Sequence, residues 1–183
     1  MNEHYDILEE LTQAAPVHGL EFILIGGHAV NAHGYSRSTV DVDLLIAAET
    51  LTRWSSLLRE RGYVPIHRTK AFAQFEPEVG EGFRVDLMLV DNGTYGKLRE
   101  GSQMLRYARA RLRVAGVLHL IALKLHALHQ PERAADGKDF YDILNLVRKN
   151  RIDVSSVEFT GILDRYATES IRGRLEREFG GSL

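Results

Sequence analysis

The spacing of apolar and polar positions changes along the chain, and the change falls near residue 115. Ahead of it, short apolar runs between turn residues predict strands at "LEFILIG" (20–26), "TVDVDLLIA" (39–47), "KAFAQFEP" (70–77) and "FRVDLMLV" (83–90), with "EVGEG" as turn material between the last two. "MLRYARARLRV" reads as extended chain, a further strand or a hairpin. Helical spacing marks residues 3–14, ended by Pro16 and Gly19, and residues 27–33, closed by Gly34. It also marks "ETLTRWSSLLRERG", where Leu51, Trp54, Leu57 and Leu58 recur on one face and Gly62 stops the helix. From residue 116 the period is 3.6 throughout. "GVLHLIALKLHALHQ" and "KDFYDILNLVRKN" predict two helices around the loop "PERAADG", and residues 154–179 predict an interrupted helical stretch. The expected class is α/β (α+β): a small mixed sheet flanked by helices over residues 1–115, then a helical region over 116–183.

Composition narrows this picture without redirecting it. A chain of 183 residues with 44% hydrophobic and 26% charged residues can bury a core of its own. No apolar run approaches the length of a membrane span, and the acidic, amphipathic start "MNEHYDILEE" lacks the layout of a secretory leader. Zero cysteines exclude a disulfide framework and thiolate metal sites, so the expected location is cytoplasmic. A net charge of −2 argues against a protein basic all round. The charge is unevenly spread, however. Residues 97–113 carry Lys97, Arg99, Arg106, Arg109, Arg111 and Arg113 against Glu100, which is either a solvated face or a patch for phosphate-rich ligands.

Candidate chemistry begins with aspartates inside apolar strands. Side chains alternate along a strand, so Asp41, Asp43 and Leu45 share one face, and the two carboxylates sit on Cα atoms about 6.5–7 Å apart. Like charges that close push one group to protonate unless a cation separates them, and a hard divalent ion does so. Acids on an edge strand facing water are the competing explanation. Asp86 in "FRVDLMLV" likewise stands among apolar neighbours. A sheet pairing these strands gathers Asp41, Asp43 and Asp86, a set suited to two-metal phosphoryl transfer. Gly26 and Gly27 lie between a predicted strand and helix, where backbone N–H groups can approach a phosphate, although no Walker lysine follows.

In combination, Gly-Gly, a short helix, "RSTVDVD" and a later strand aspartate resemble the nucleotidyltransferase fold of the DNA polymerase β superfamily. "GGHAVNAHGYSRSTVDVDLLI" is similar to AbiEii-type nucleotidyltransferase toxins, and "LHLIALKLHALHQPERAADGKDFYDI" resembles that family's later helices. The similarity spans roughly residues 20–148. It departs at Gly27, where many superfamily members carry serine. The resemblance implies transfer of a nucleoside monophosphate from an NTP to an acceptor hydroxyl, with pyrophosphate released. Asp41, Asp43 and Asp86 would hold Mg²⁺, two ions with Mn²⁺ as a substitute. Gly26, Gly27, Arg37, Thr39, Lys124 and Asp139 would bind the nucleotide, Lys124 being also catalytic. The implied acceptor is tRNA, a protein or a small molecule, and an antitoxin is an implied partner. A non-enzymatic nucleotide sensor or antitoxin-like binder, and a metal-dependent phosphodiesterase, are the alternatives. The intact carboxylate set weighs against the first, and the Gly-Gly to Asp-x-Asp spacing against the second.

In the helical half, Lys124 stands on a stripe of Leu120, Ile121, Ala127 and Leu128. Such a lysine snorkels, finds an acid or reaches into a cleft, and methionine there is expected to leave the fold intact. Asp139 reads either as a helix-start acid behind an Asp136 cap or as a partner of Lys124 or the nucleotide, with Lys138 and Asp142 in support. His28, His33, His119, His126 and His129 lack ligand spacing and read as ordinary histidines.

Overall fold

The computed structural model describes residues 6–130 and 137–180. Residues up to Ala32 together with Arg37–Ala115 cluster as one compact unit, and His33–Ser36 with the residues from Gly116 onward as a second.

The first unit is built on a seven-stranded sheet in the order β3-β4-β5-β2-β1-β7-β6. Its strands are β1 (Ile23–Leu24), β2 (Asp41–Ala47), β3 (Tyr63–Arg68), β4 (Phe72–Pro77), β5 (Arg84–Val90), β6 (Gln103–Tyr107) and β7 (Ala110–Val114). The sheet is mixed. β2 runs parallel to β5 and β1 parallel to β7, whereas β1–β2, β3–β4, β4–β5 and β6–β7 are antiparallel. The central pair β2–β5 carries the core, with Val42, Leu44, Ile46, Val85 and Leu87 fully buried. At about 1.5–3 kcal/mol per buried aliphatic side chain, this row fixes the register.

Among the described residues the α-helices of this unit are α1 (Asp6–Val17), α2 (Gly26–Ala32), α3 (Leu51–Glu60) and α4 (Asn92–Glu100). The apolar face of α3 is Leu51, Trp54, Leu57 and Leu58, and Trp54 packs edge-on against Phe22 at 5.8 Å. α1 runs through Pro16 instead of stopping before it. In the last turn the proline forfeits one backbone donor, and Gly19 at φ 62 makes the turn that follows. Two further elements depart from the sequence reading. β3 carries Pro65 and is exposed along most of its length, because it is an edge strand and shows no alternation. α4 contains Gly93 and Gly96 and was not apparent from spacing; Asp91 caps it by accepting from the Thr94 N–H at 3.0 Å.

The second unit holds α5 (Val117–Ala127), α6 (Lys138–Asn150), α7 (Val157–Tyr166) and α8 (Glu169–Phe179). Leu120, Ile121 and Leu125 of α5, Ile143, Leu146 and Val147 of α6, Phe159 and Leu163 of α7 and Leu175 of α8 supply its core. Ser156 and Thr168 cap α7 and α8 by accepting from the Phe159 and Ile171 N–H groups, which is why residues 154–179 break into two helices. Asp136 lies outside the described residues, as does most of the expected loop; the residue before α6 is Gly137 at φ 71. Among the described residues no helix is long and apolar enough to cross a membrane.

Candidate active site

Parallel pairing of β2 with β5 sets Asp41 opposite Arg84 and Asp43 opposite Asp86, and antiparallel pairing of β4 with β5 sets Gln74 opposite Asp86. Registered neighbours project to the same side of a sheet, so five polar side chains share one face above the core. Arg84 lies between two of the acids, with Nη2 3.5 Å from Asp41 Oδ2 and Nε 3.2 Å from Asp86 Oδ1. Gln74 Nε2 donates to both Asp86 oxygens at 3.2 and 3.3 Å. Burial pushes the Asp86 carboxyl above the usual carboxylate range, the charge of Arg84 and the Gln74 hydrogen bond pull it back, and Asp41 adds to the rise. Asp86 therefore binds a proton more readily than an exposed aspartate does.

The glycines belong to the same cluster. Gly26 opens α2 at φ 62, and a Cβ there would lie 1.9 Å from Asp43 Oδ2. A Cβ on Gly27 would lie 2.5 Å from Thr39 Oγ1 and 3.0 Å from Arg37 Nη1. The absent side chains are thus filled by the very residues that the Arg-x-Thr-x-Asp-x-Asp pattern supplies. Thr39 occupies the space that a serine at position 27 would need. Asn31 of α2 clamps the Arg37 backbone, donating to its carbonyl and accepting from its N–H, both at 2.9 Å. Asn31, Gln74 and Arg84 are members of the cluster that the sequence reading did not single out. Their one signal is a polar residue where an apolar neighbour was expected.

The donor set is three carboxylates, and hard oxygen ligands of this kind suit Mg²⁺ or Mn²⁺ and not a soft metal. Among the described residues no three acids or histidines converge as a formed ion site. A guanidinium bridges Asp41 and Asp86 instead, meeting the same need for positive charge between them. By donor chemistry the residues fit a divalent cation.

His28, on α2, is 2% exposed, with its Nδ1 2.9 Å from the Tyr107 hydroxyl and Phe83 edge-on at 5.2 Å. Burial foremost, then the Arg37 charge, pushes its pKa down from 6.5 to about 4. The folded state thus keeps a neutral imidazole where the unfolded chain takes up a proton. Stability contributed by His28 is whole above pH 6.5 and is lost as pH falls toward 4. At about 1.4 kcal/mol per unit the loss is roughly 3 kcal/mol. Melting temperature measured between about pH 4.5 and 7 should fall more steeply in the wild type than in His28→Gln; equal slopes would remove His28 as the cause.

In the second unit, Lys124 is 6% exposed and its ammonium lies 2.8 Å from Asp139 Oδ1 and 2.5 Å from Asp142 Oδ2. Both acids are buried. Of the ways open to a lysine on an apolar stripe, this one has found acids.

A family model described as nucleotidyl transferase AbiEii toxin, type IV toxin–antitoxin system, matches residues 9–179. No curated protein matches the chain. Among solved structures, ANT(2″)-Ia in complex with adenylyl-2″-tobramycin is 15% identical, with a TM-score of 0.69 over 88% of this chain and 98% of that one. An antigenic nucleotidyltransferase-like protein from Paracoccidioides brasiliensis is 15% identical, with a TM-score of 0.63 over 99% and 92%. The lincosamide antibiotic adenylyltransferase LnuA, with lincomycin bound, is 17% identical, with a TM-score of 0.55 over 80% and 98%. These likenesses establish the nucleotidyltransferase fold, and the family match over nearly the whole chain establishes that the protein belongs to the AbiEii nucleotidyltransferase family.

Proposed function

We propose that the protein transfers a nucleoside monophosphate from an NTP to an acceptor hydroxyl on the face formed by Asp41, Asp43 and Asp86. The observation that carries this reading is the register of Asp43 against Asp86, with Gly26 giving up its side-chain space to the Asp43 carboxylate. The acceptor oxygen attacks the α-phosphorus and the bond to the bridging oxygen of pyrophosphate breaks. Asp86, whose proton affinity burial has raised, takes the acceptor's proton. Gly26, Gly27, Arg37 and Thr39 line the triphosphate, with Asn31 fixing the Arg37 backbone. Asp41, Asp43 and Asp86 are the residues that would hold Mg²⁺, two ions in the fullest case with Mn²⁺ able to replace them, and the metal supplies charge neutralisation at the reacting phosphate. Lys124 is assigned to the departing pyrophosphate, with Asp139 positioning it and Asp142 in support.

The acceptor is a tRNA, a protein or a small molecule. ANT(2″)-Ia and LnuA carry a tobramycin adduct and lincomycin in their structures, which makes an antibiotic one arm of the test. Action as the toxin of a toxin–antitoxin system is the setting that the family description supports, and we place it in the cytoplasm with a cognate antitoxin as the proposed partner. The decisive assay incubates the protein with Mg²⁺ and each α-labelled NTP in turn, adding total tRNA, cell protein, or tobramycin and lincomycin. Label is expected in one acceptor pool for one preferred nucleotide, with stoichiometric pyrophosphate. Neither label transfer nor pyrophosphate release in any combination would sink the reading.

A further inference from the structure

The β6–β7 hairpin, whose Tyr107 hydroxyl meets His28 of α2, gathers positive charge at the sheet edge that no described acid neutralises. Cross-strand register sets Arg106 directly opposite Arg111, and Met104 opposite Arg113. Arg109 stands in the two-residue turn beside Ala108, which has φ 53. Arg106, Arg109 and Arg111 are all exposed, and among the described residues no acid pairs with any of them. The neighbouring cations differ. Arg99 is held by Glu21 through hydrogen bonds of 2.8 and 3.3 Å, and Arg113 donates to Ser102 Oγ at 3.0 Å.

Like charges directly opposite each other destabilise a strand pair, and a left-handed alanine costs a further 1–2 kcal/mol or so. The positive φ is what a two-residue hairpin turn asks of its first residue, whereas the facing arginines do nothing for the hairpin's own folding. Its inner side, Leu105, Tyr107, Ala110, Leu112 and Val114, already supplies the apolar packing. A lysine or arginine on an edge strand does deter strand-on-strand association, but one such charge suffices for that, and two facing each other do not improve it. Beside Arg111 lies a hollow of about 220 Å³ lined by Pro16, Phe22 and Met104 and by Glu21, whose charge Arg99 already holds. Cations spaced along a strand pair match a polymer that carries regularly spaced negative charge along its backbone.

We infer that the β6–β7 hairpin is a docking surface for the phosphodiester backbone of a nucleic acid, gripped by Arg106, Arg109 and Arg111. This inference is independent of the transfer chemistry, because the binding needs neither nucleotide nor metal. It is tested by fluorescence anisotropy with labelled mixed-sequence RNA and DNA oligonucleotides of about twenty nucleotides, starting near about 50 mM salt. Wild-type protein is expected to bind, and Arg106→Gln with Arg111→Gln to weaken binding at least tenfold. The salt slope should fall by about 1.4 for a single strand, which is about 0.7 for each phosphate that the pair no longer neutralises. The melting temperature should hold or rise as the facing charges are relieved, and Arg106→Lys with Arg111→Lys should keep most of the affinity. A preference for RNA adds the 2′-hydroxyl to what is read, and equal affinity for RNA and DNA assigns recognition to the backbone alone; both support the surface. Absence of wild-type binding, or full binding by the glutamine pair, overturns it. So does competition in which polyphosphate or an acid-rich peptide displaces the protein as well as unlabelled nucleic acid does.

Discussion

Replacing Lys124 by methionine is expected to lower folding stability by about 3–5 kcal/mol, the usual cost of removing one partner from a buried charge set. On the apolar stripe alone, methionine reads as a tolerated change. The reversal comes from Asp139 and Asp142, whose buried carboxylates lose their shared cation. Chemical denaturation of wild type and Lys124→Met measures the effect directly, and a loss below about 1 kcal/mol would mean that the acids find another way to shed their charge. The same variant cannot report on catalysis, since unfolding and lost turnover coincide. Adding Asp139→Asn and Asp142→Asn removes all three charges and is expected to recover much of the stability. Turnover in that folded triple variant then decides whether the trio takes part in the chemistry. Retained turnover confines Lys124 and Asp139 to holding α5 against α6.

The second large effect is expected at Asp43. Its carboxylate lies where Gly26 has no side chain and stands in register with Asp86, so Asp43→Asn removes charge at the centre of the proposed site without changing its shape. Asp43 would act by holding the divalent ion that offsets charge on the reacting phosphate, so its loss is expected to cost on the order of 10²–10³ in rate. Folding stability should hold or improve, because one of three neighbouring like charges is gone. Initial rates of label transfer and thermal melting, taken on the same preparation, separate the two consequences. Normal transfer removes Asp43 from the mechanism, and a collapsed melting temperature makes it a structural residue.

The fold was legible in the sequence wherever a periodic apolar face met a buried partner. β2 and β5 were readable as short apolar runs because they are the central strands and largely buried, and α6 was readable to the residue because a full apolar face runs along it. β3 was not, since an exposed edge strand has no buried side to impose a pattern and Pro65 argues against a strand. α4 was hidden by two glycines and one buried aromatic, Tyr95. The candidate site divides in the same way. Three aspartates announced themselves by being polar on apolar strands, whereas their mutual placement required knowing that β2 pairs with β5 in parallel. Gln74, Arg84 and Asn31 act on neighbours that are distant in sequence or reached through the backbone. Asp139 was among the partners expected for Lys124, but only the structure decides between that reading and a helix-start acid, because α6 begins more than three turns later and local spacing does not encode the contact.

One detail of the glycine pair bears on how such a sequence can change over time. The atoms of Thr39 occupy the volume above Gly27, so positions 27 and 39 share a single vacancy. A substitution that adds bulk at either place is blocked until the other gives some up, and the first step alone is disfavoured whichever side moves. Bulk can therefore enter at position 27 only after position 39 has become smaller. A library that varies position 27 singly will return glycine, while one that varies 27 and 39 jointly can hand the hydroxyl from the segment before β2 to the helix and reach sequences closed to either change alone.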